Sequence, residues 1–271
     1  MYLSIITICF NNRDGLERTI KSVISQTWRD FEWIVIDGGS TDGSKELIEH
    51  YQDQFSYWCS EPDKGIYNAM NKGIEHAKGE YLQFLNSGDI LYNEKVLEEV
   101  FSLRLTDDIV SGNAVRMDNN AMVRENIENL HWQILFGTID HQAAFIKRAL
   151  FDEIRYDESL KIVSDWKFWV ETIVLRNVSV KRINVLVCKQ DMTGISFDEK
   201  NNQLQIEERE RVLRSFFSPA IYDGIMDYFI LYFNSIVQNM MYLKKNNPLA
   251  YVVLRKISSF IFRFCKWKNR F

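Results

Sequence analysis

At 271 residues the chain is too long for one small domain and too short for two large ones, and its 46% hydrophobic and 14% aromatic residues supply ample core material. Its formal charge of −4 is unevenly spread: residues 241–271 hold eight Lys and Arg and no Asp or Glu, which leaves −12 on residues 1–240. A polyanionic or membrane partner is thereby confined to the C-terminal end.

In chain order, Tyr2–Cys9 is β-branched and apolar and predicts a buried strand, broken by Asn11-Asn12-Arg13-Asp14. Leu16, Ile20, Val23, Ile24 and Thr27 follow at helical spacing. Phe31–Ile36 predicts a second strand, ending in the turn-rich run from Asp37 to Gly43. A helix from Ser44 to about Tyr51 and a short strand Tyr57–Ser60 lead to Glu61-Pro62-Asp63-Lys64-Gly65. Ile66, Ala69, Met70, Gly73, Ile74 and Ala77 mark the next helix, and Glu80–Leu85 a fourth strand closed by Asn86-Ser87-Gly88-Asp89. This alternation predicts an α/β domain with a mostly parallel sheet and helices on both faces.

Asp37, Asp63 and Asp89 each fall just after a predicted strand, at the carboxyl edge where open α/β sheets bind ligands. One such Asp is ordinarily a helix cap. Three on one rim repel each other unless a cation or hydrogen-bond donors sit between them, and Gly38 and Gly88 beside two of them let a ligand approach the backbone. Other readings fail. No Gly-x-Gly-x-x-Gly follows the first strand, and Gly38…Gly43-Ser44-Lys45 misses the phosphate-loop order. Cys9, Cys59, Cys188 and Cys265 are scattered, which suits reduced thiols in a cytosolic protein and neither a zinc site nor a disulfide framework. The apolar N-terminus lacks a basic region and a small-residue cleavage site, so no signal peptide is expected.

Four stretches, Ser4–Ile8 with Asn11, Trp33–Gly43, Ser60–Gly73 and Gly79-Glu80 with Asn86–Asp89, together resemble family 2 glycosyltransferases of the GT-A fold. They cover the first third densely, with weaker echoes to about residue 200. The resemblance implies a Rossmann-like sheet in a glycosyltransferase domain over 1–200, its nucleotide-sugar half at 1–115 and its acceptor half at 116–200. A helical C-terminal appendage follows over 201–271. It implies a nucleotide-diphospho-sugar donor, a UDP-sugar favoured, with Mg²⁺ or Mn²⁺ as cofactor. Thr7, Asn11, Asp37, Asp63, Ser87 and Gly88 would border the nucleotide. Asp89 would stand for the last carboxylate of the family's Asp-x-Asp metal motif, whose first carboxylate is here the amide of Asn86. One carboxylate with the donor's diphosphate can hold such a cation.

Displacing a nucleoside diphosphate from an anomeric carbon also needs a base for the acceptor's proton. By resemblance that base is Asp165, in Val163-Ser164-Asp165-Trp166, where relatives carry Glu-Asp and this chain has Ser164 for the Glu. The plainer reading of Asp165 is an acidic residue favoured at a helix start. His141, in Asp140-His141-Gln142, echoes a segment near the acceptor, and Thr193-Gly194-Ile195-Ser196 a loop closing on the diphosphate; each is equally an ordinary structural feature. Lys64 and Lys72 are lesser candidates for phosphate. The Gln-x-x-Arg-Trp signature of processive relatives is absent, so single-sugar transfer is expected, with no nucleic-acid partner. A nucleotidyltransferase, or a catalytically degenerate sugar-nucleotide-binding protein, is the alternative.

The tail repeats Leu249, Val253, Ile257, Phe260, Phe264 and Trp267 at helical spacing, with Arg255, Arg263 and Lys266 off that stripe. This is the pattern of an interfacial helix on an anionic membrane, or of a helix packed on its own domain. The uncharged run Tyr228–Leu243 is too short and too polar for a confident membrane span. A cytoplasmic enzyme lying peripherally on the inner face of the membrane, with a polyprenyl-diphosphate-linked acceptor, is the resulting expectation.

Overall fold

The computed structural model describes residues 2–116, 122–123, 130–233, 242–244 and 247–255. The chain divides into a compact unit Met1–Glu210 and a second, Arg211–Phe271. The first unit thus runs ten residues past the boundary expected at 200.

In the first unit β1 (Leu3–Cys9), α1 (Arg13–Ile24), β2 (Phe31–Asp37), α2 (Ser44–His50), β3 (Tyr57–Ser60), α3 (Ile66–His76) and β4 (Tyr81–Phe84) follow each other. They lie within a few residues of the sequence-based boundaries. Then come β5 (Ile90–Leu91), α4 (Val96–Ser102), β6 (Ile109–Arg116), β7 (Met122–Val123), α5 (Leu130–Phe136), β8 (Ala144–Lys147), α6 (Leu150–Glu153), α7 (Ser164–Trp169) and β9 (Val180–Gln190). A π-helical stretch, Val170–Leu175, continues α7. The helix α8 (Asn202–Phe216) crosses the division between the units.

The strands form one sheet in the order β3-β2-β1-β4-β8-β6-β9-β5, with β7 on β6. The run β3-β2-β1-β4 is parallel, as the alternation of strand and helix requires. Beyond β4 the sheet is mixed: β8 is antiparallel to both β4 and β6, β9 is parallel to β6, and β5 is antiparallel to β9. Every residue of β1 is buried, so the strand packs helices on both faces. Leu3, Ile5 and Cys9 join Trp33 and Val35 in a cluster with Leu16, Ile20 and Val23 of α1, while α3 packs on the same two strands. Because strand side chains alternate, the choice of face fixes which β1 residues reach the cleft at its carboxyl end.

In the second unit α9 spans Pro219–Phe233, and the Arg214 guanidinium lies 4.0 Å over the Tyr222 ring. Residues 248–255 are helical, and the Asn247 side chain accepts the Ala250 N–H at the start of that turn (3.1 Å). Leu249, Val253 and Arg255 belong to this helix; the rest of the predicted stripe, with Arg263 and Lys266, lies outside the described residues.

Candidate active site

The carboxyl ends of β1, β2 and β3 are in register, Cys9 beside Asp37 and Asp37 beside Ser60, and they open on a cleft of about 690 Å³. Asn12 caps α1 by accepting the Gly15 N–H (3.2 Å) while its amide donates to the Ser87 carbonyl (3.0 Å). The Asn86–Asp89 turn is therefore pinned to the start of α1. Thr19, nearly two turns on, donates to the Asp89 carbonyl (2.7 Å) and accepts the Gly88 N–H (3.0 Å). Gly88 has φ +105, and a Cβ there would meet the Asp191 carboxylate, so glycine is required.

Asn11, Asp63, Ser87, Asp89, His141, Asp165 and Gly194 all line this cleft. Thr7, Asp37 and Gly88 do not. Thr7 is fully buried on the α1 face of β1, where its hydroxyl accepts the Trp33 indole N–H (3.0 Å); the alternation of the strand presents Ile8 to the cleft instead. The Asp37 carboxylate is taken up internally, accepting the Ser40 N–H (3.0 Å) and hydroxyl and the Ser60 hydroxyl (2.6 Å). Its contribution is to shape the loop that brings Gly38 against Asp63: a Cβ on Gly38 would stand 2.7 Å from an Asp63 oxygen. Lys72 is held by Glu61 at 2.7 Å.

Asp89 is 4% exposed and one oxygen accepts the Asp191 N–H (2.8 Å). Burial pushes its carboxyl up to about 7, against the smaller opposing effects of that hydrogen bond and of His141. Next to it the Asn86 Oδ1 is buried without a hydrogen-bond partner. The Asn86 Nδ2 lies 3.3 Å from His141 Nε2, and His141 Nδ1 lies 3.1 Å from Asp165 Oδ2. The Tyr67 hydroxyl donates to Asp165 Oδ1 (3.0 Å). Burial opposes the charge on Asp165, but His141 and Tyr67 outweigh it and hold the carboxyl below its ordinary value. Burial likewise opposes a charged His141, and Asp165 outweighs it and raises the imidazole. Ser164, at the position of the missing Glu, serves the backbone: its hydroxyl accepts the Asp157 N–H (2.5 Å) and closes the loop ahead of α7.

A carboxylate held ionised thus shares one cleft with a buried carboxylate and an orphaned amide oxygen, over loops that end parallel strands. The family model for glycosyl transferase family 2 matches residues 4–154. The chain belongs to that family. An uncharacterized glycosyltransferase of Mycobacterium tuberculosis is 36% identical over 202 residues, covering 71% of this chain and 76% of that one. A PGL/p-HBAD biosynthesis glycosyltransferase of Mycobacterium bovis is 28% identical over 198 residues, covering 70% and 77%. Among solved structures, S. aureus TarS 1–349 in complex with UDP-GlcNAc aligns with TM-score 0.65 at 16% identity, over 93% of this chain and 79% of that one. The mannosyltransferase PcManGT from Pyrobaculum calidifontis, in complex with GDP-Man and Mn²⁺, aligns with TM-score 0.62 at 14% identity, over 98% and 82%. The fold of this glycosyltransferase is GT-A.

Three features of the family 2 site escape the sequence reading. Phe10, 65% exposed beyond β1, lines the cleft; an aromatic residue directly after a buried strand and before Asn11 is the signal for it. Tyr67 stands off the apolar stripe of α3, which hides its reach to Asp165. Asp191 follows β9, pairs with Arg18 at 2.9 Å and closes the Asp89 side of the cleft.

Proposed function

We propose that this glycosyltransferase is inverting and non-processive, moving one hexosyl or N-acetylhexosaminyl group from a nucleotide-diphospho-sugar to an acceptor hydroxyl in polysaccharide or glycolipid biosynthesis. The observation that carries the reading is Asp165 opening on the same cleft as Asn11, Asp63, Ser87 and Asp89. Asn11, Asp63 and Ser87 border the nucleotide, with Asp37 and Gly88 acting through the loops they shape and Thr7 lying behind Ile8. The UDP-GlcNAc and GDP-Man complexes of the two structural neighbours support a nucleoside-diphosphate donor, a UDP-sugar favoured.

Asn86 and Asp89 fit a divalent cation. Hard cations take oxygen ligands, and here the cleft is lined by a buried amide oxygen without a partner and by a carboxylate whose charge burial disfavours. Among the described residues no group of three or more His, Cys, Asp or Glu could hold a metal, so diphosphate oxygens and water would complete the shell. When bound, Mg²⁺ or Mn²⁺ would neutralise charge on the leaving diphosphate.

The acceptor oxygen forms its bond to the anomeric carbon while the bond to the diphosphate oxygen breaks. The hydroxyl proton passes to the Asp165 carboxylate, and the bonding pair leaves with the nucleoside diphosphate. His141 and Tyr67 keep Asp165 ionised until the proton arrives, each occupying one oxygen and leaving lone pairs free. Gly194, in the loop at the cleft's rim, closes over the diphosphate.

The basic C-terminal residues support a cytoplasmic enzyme lying peripherally on an anionic membrane, with a lipid-linked acceptor such as a polyprenyl-diphosphate oligosaccharide. Among the described residues no helix is long and apolar enough to cross a membrane.

A panel of UDP- and GDP-sugars, read by nucleoside-diphosphate release, tests the function. Release is expected from at least one donor, and Asp165→Asn should lower it by roughly two to four orders of magnitude with UDP binding intact. Undiminished release by the variant removes Asp165 as the base. UDP binding without release from any donor points to a degenerate binding protein.

A further inference from the structure

Asp165 is the second residue of α7, a helix of six residues whose N-cap, Val163, supplies no side-chain hydrogen bond. So short a helix, without a capping side chain, needs its start fixed from outside as well. That task falls to residues distant in the chain. The carboxylate of Glu208, on α8 and 4% exposed, accepts three consecutive backbone N–H groups: Lys161 on Oε1 (2.7 Å), and Ile162 and Val163 on Oε2 (3.0 and 3.3 Å). Converging N–H groups of this kind form an anion-binding concavity, here filled from within. From the opposite side the single Tyr67 hydroxyl proton is shared between the Ile162 carbonyl (2.5 Å) and Asp165 Oδ1 (3.0 Å). Ile162 is thus gripped by its N–H from α8 and by its carbonyl from α3.

We infer that Glu208 is a positioning residue for the base, acting on Asp165 through the 161–163 backbone, with Tyr67 as its counterpart on α3. The next residue extends the brace. Arg209 donates to the Gly137 carbonyl (3.2 Å), four residues before His141, and its guanidinium lies 4.6 Å over the ring of Trp166, the neighbour of Asp165. One turn of α8 therefore touches both segments that carry the Asp165–His141 pair. The three hydrogen bonds accepted by Glu208 all come from the base-bearing loop, whereas the donor-side turn Asn86–Asp89 is held by α1. Loosening Glu208 should misplace the base without disturbing the nucleotide, and a misplacement of about 1 Å can cost on the order of a hundredfold in rate. The inference rests on the reading of Asp165 as the base.

Glu208→Gln tests it. The amide offers one acceptor oxygen in place of two and turns an NH₂ toward N–H donors. With a UDP- or GDP-sugar that the wild-type chain turns over, kcat is expected to fall ten- to a hundredfold. Donor KM and the Kd for UDP by calorimetry should stay within twofold. Tyr67→Phe, which keeps the ring and removes the hydroxyl, should show the same split. The double variant should lose less than the product of the single losses, because both act on one loop. A folded Glu208→Gln protein with kcat within twofold of wild type overturns the inference. So does one whose UDP affinity, melting temperature and kcat decline together. If Glu208→Gln does not fold, Glu208→Asp, which keeps both acceptor oxygens but shortens their reach, decides: a selective loss of kcat supports the inference and wild-type kcat overturns it. Asp165→Asn is the control: undiminished turnover there sinks the base assignment itself, whereas its loss beside an intact Glu208→Gln sinks only the role of Glu208.

Discussion

At the scale of single residues the cleft is a contest between burial and charge, and two carboxylates resolve it in opposite directions. Asp165 has His141 and Tyr67 and stays ionised; Asp89 is desolvated, and its carboxyl rises to about 7. A folded-state value above the unfolded one means that the folded protein holds this proton more tightly. The stability Asp89 contributes is therefore full below its unfolded pKa near 3.8 and is lost as the pH rises through about 7. Three units correspond to roughly 4 kcal/mol as an upper bound. A cation bound at Asn86 and Asp89 would offset that loss by neutralising the carboxylate. In a chelator, the melting temperature of the wild-type chain should fall relative to Asp89→Asn as the pH goes from 5 to 8. Adding UDP with Mg²⁺ or Mn²⁺ should restore the wild type and not the variant. His141 and Asp165 titrate in both proteins, and because the Asp89 charge also raises the imidazole of His141, the difference reports Asp89 together with that coupling. A difference that stays constant from pH 4 to 8 would mean Asp89 titrates as an ordinary surface carboxylate.

At the scale of elements, α1 is the shelf on which the Asn86–Asp89 turn rests, and one hydroxyl carries much of the contact. Thr19 is fully buried, donates to the Asp89 carbonyl and accepts the Gly88 N–H. Thr19→Val keeps the shape and strands both backbone groups, at roughly 1–3 kcal/mol for each unpaired group. A lowered melting temperature with UDP binding weakened several-fold is expected; an unchanged Kd for UDP would leave Thr19 a purely structural residue. The same elements mark the reach of sequence reading. The strands β1 to β4 are legible because each is a compact apolar run followed by turn residues, and Tyr57–Ser60 matches residue for residue. The mixed half is not: β8 has four residues, and the parallel pairing of β6 with β9 shifts register around Gly112 and Asn113, which blurs any period of two. Asn11, Asp63, Ser87 and Asp89 reach the cleft because each follows a strand or closes a turn at its edge. Thr7 fails by one position of the strand's alternation, and Asp37 because Ser40 and Ser60 capture it. The link from Asp165 to His141, Tyr67 and Glu208 spans elements with no common sequence pattern, so only the fold reveals it.

At the scale of the whole molecule, the cleft and the basic tail fall on different stretches of chain. Every residue lining the cleft lies between Ile8 and Phe197, whereas eight Lys and Arg fall in residues 241–271 with no acidic residue among them. In the described part of that tail Leu249 is 83% exposed and Val253 56%, on a helix whose first turn Asn247 caps. The sequence continues their spacing through Ile257, Phe260, Phe264 and Trp267. Large apolar side chains left in solvent cost nothing to insert into a bilayer interface, and each neighbouring basic residue adds about 1 kcal/mol near an anionic surface. Deleting residues 246–271 should therefore leave the Kd for UDP unchanged, reduce sedimentation with phosphatidylglycerol-containing vesicles, and slow transfer to a lipid-linked acceptor more than to a short soluble one. Charge reversal at Arg255, Arg263 and Lys266 should reproduce most of the deletion, and raising the salt should weaken binding of the intact chain, since charges beyond about 10 Å are screened at 0.1 M. A truncated protein that aggregates or no longer binds UDP would instead place the stripe in the core, and vesicle binding that persists after charge reversal would assign the contact to the apolar face alone.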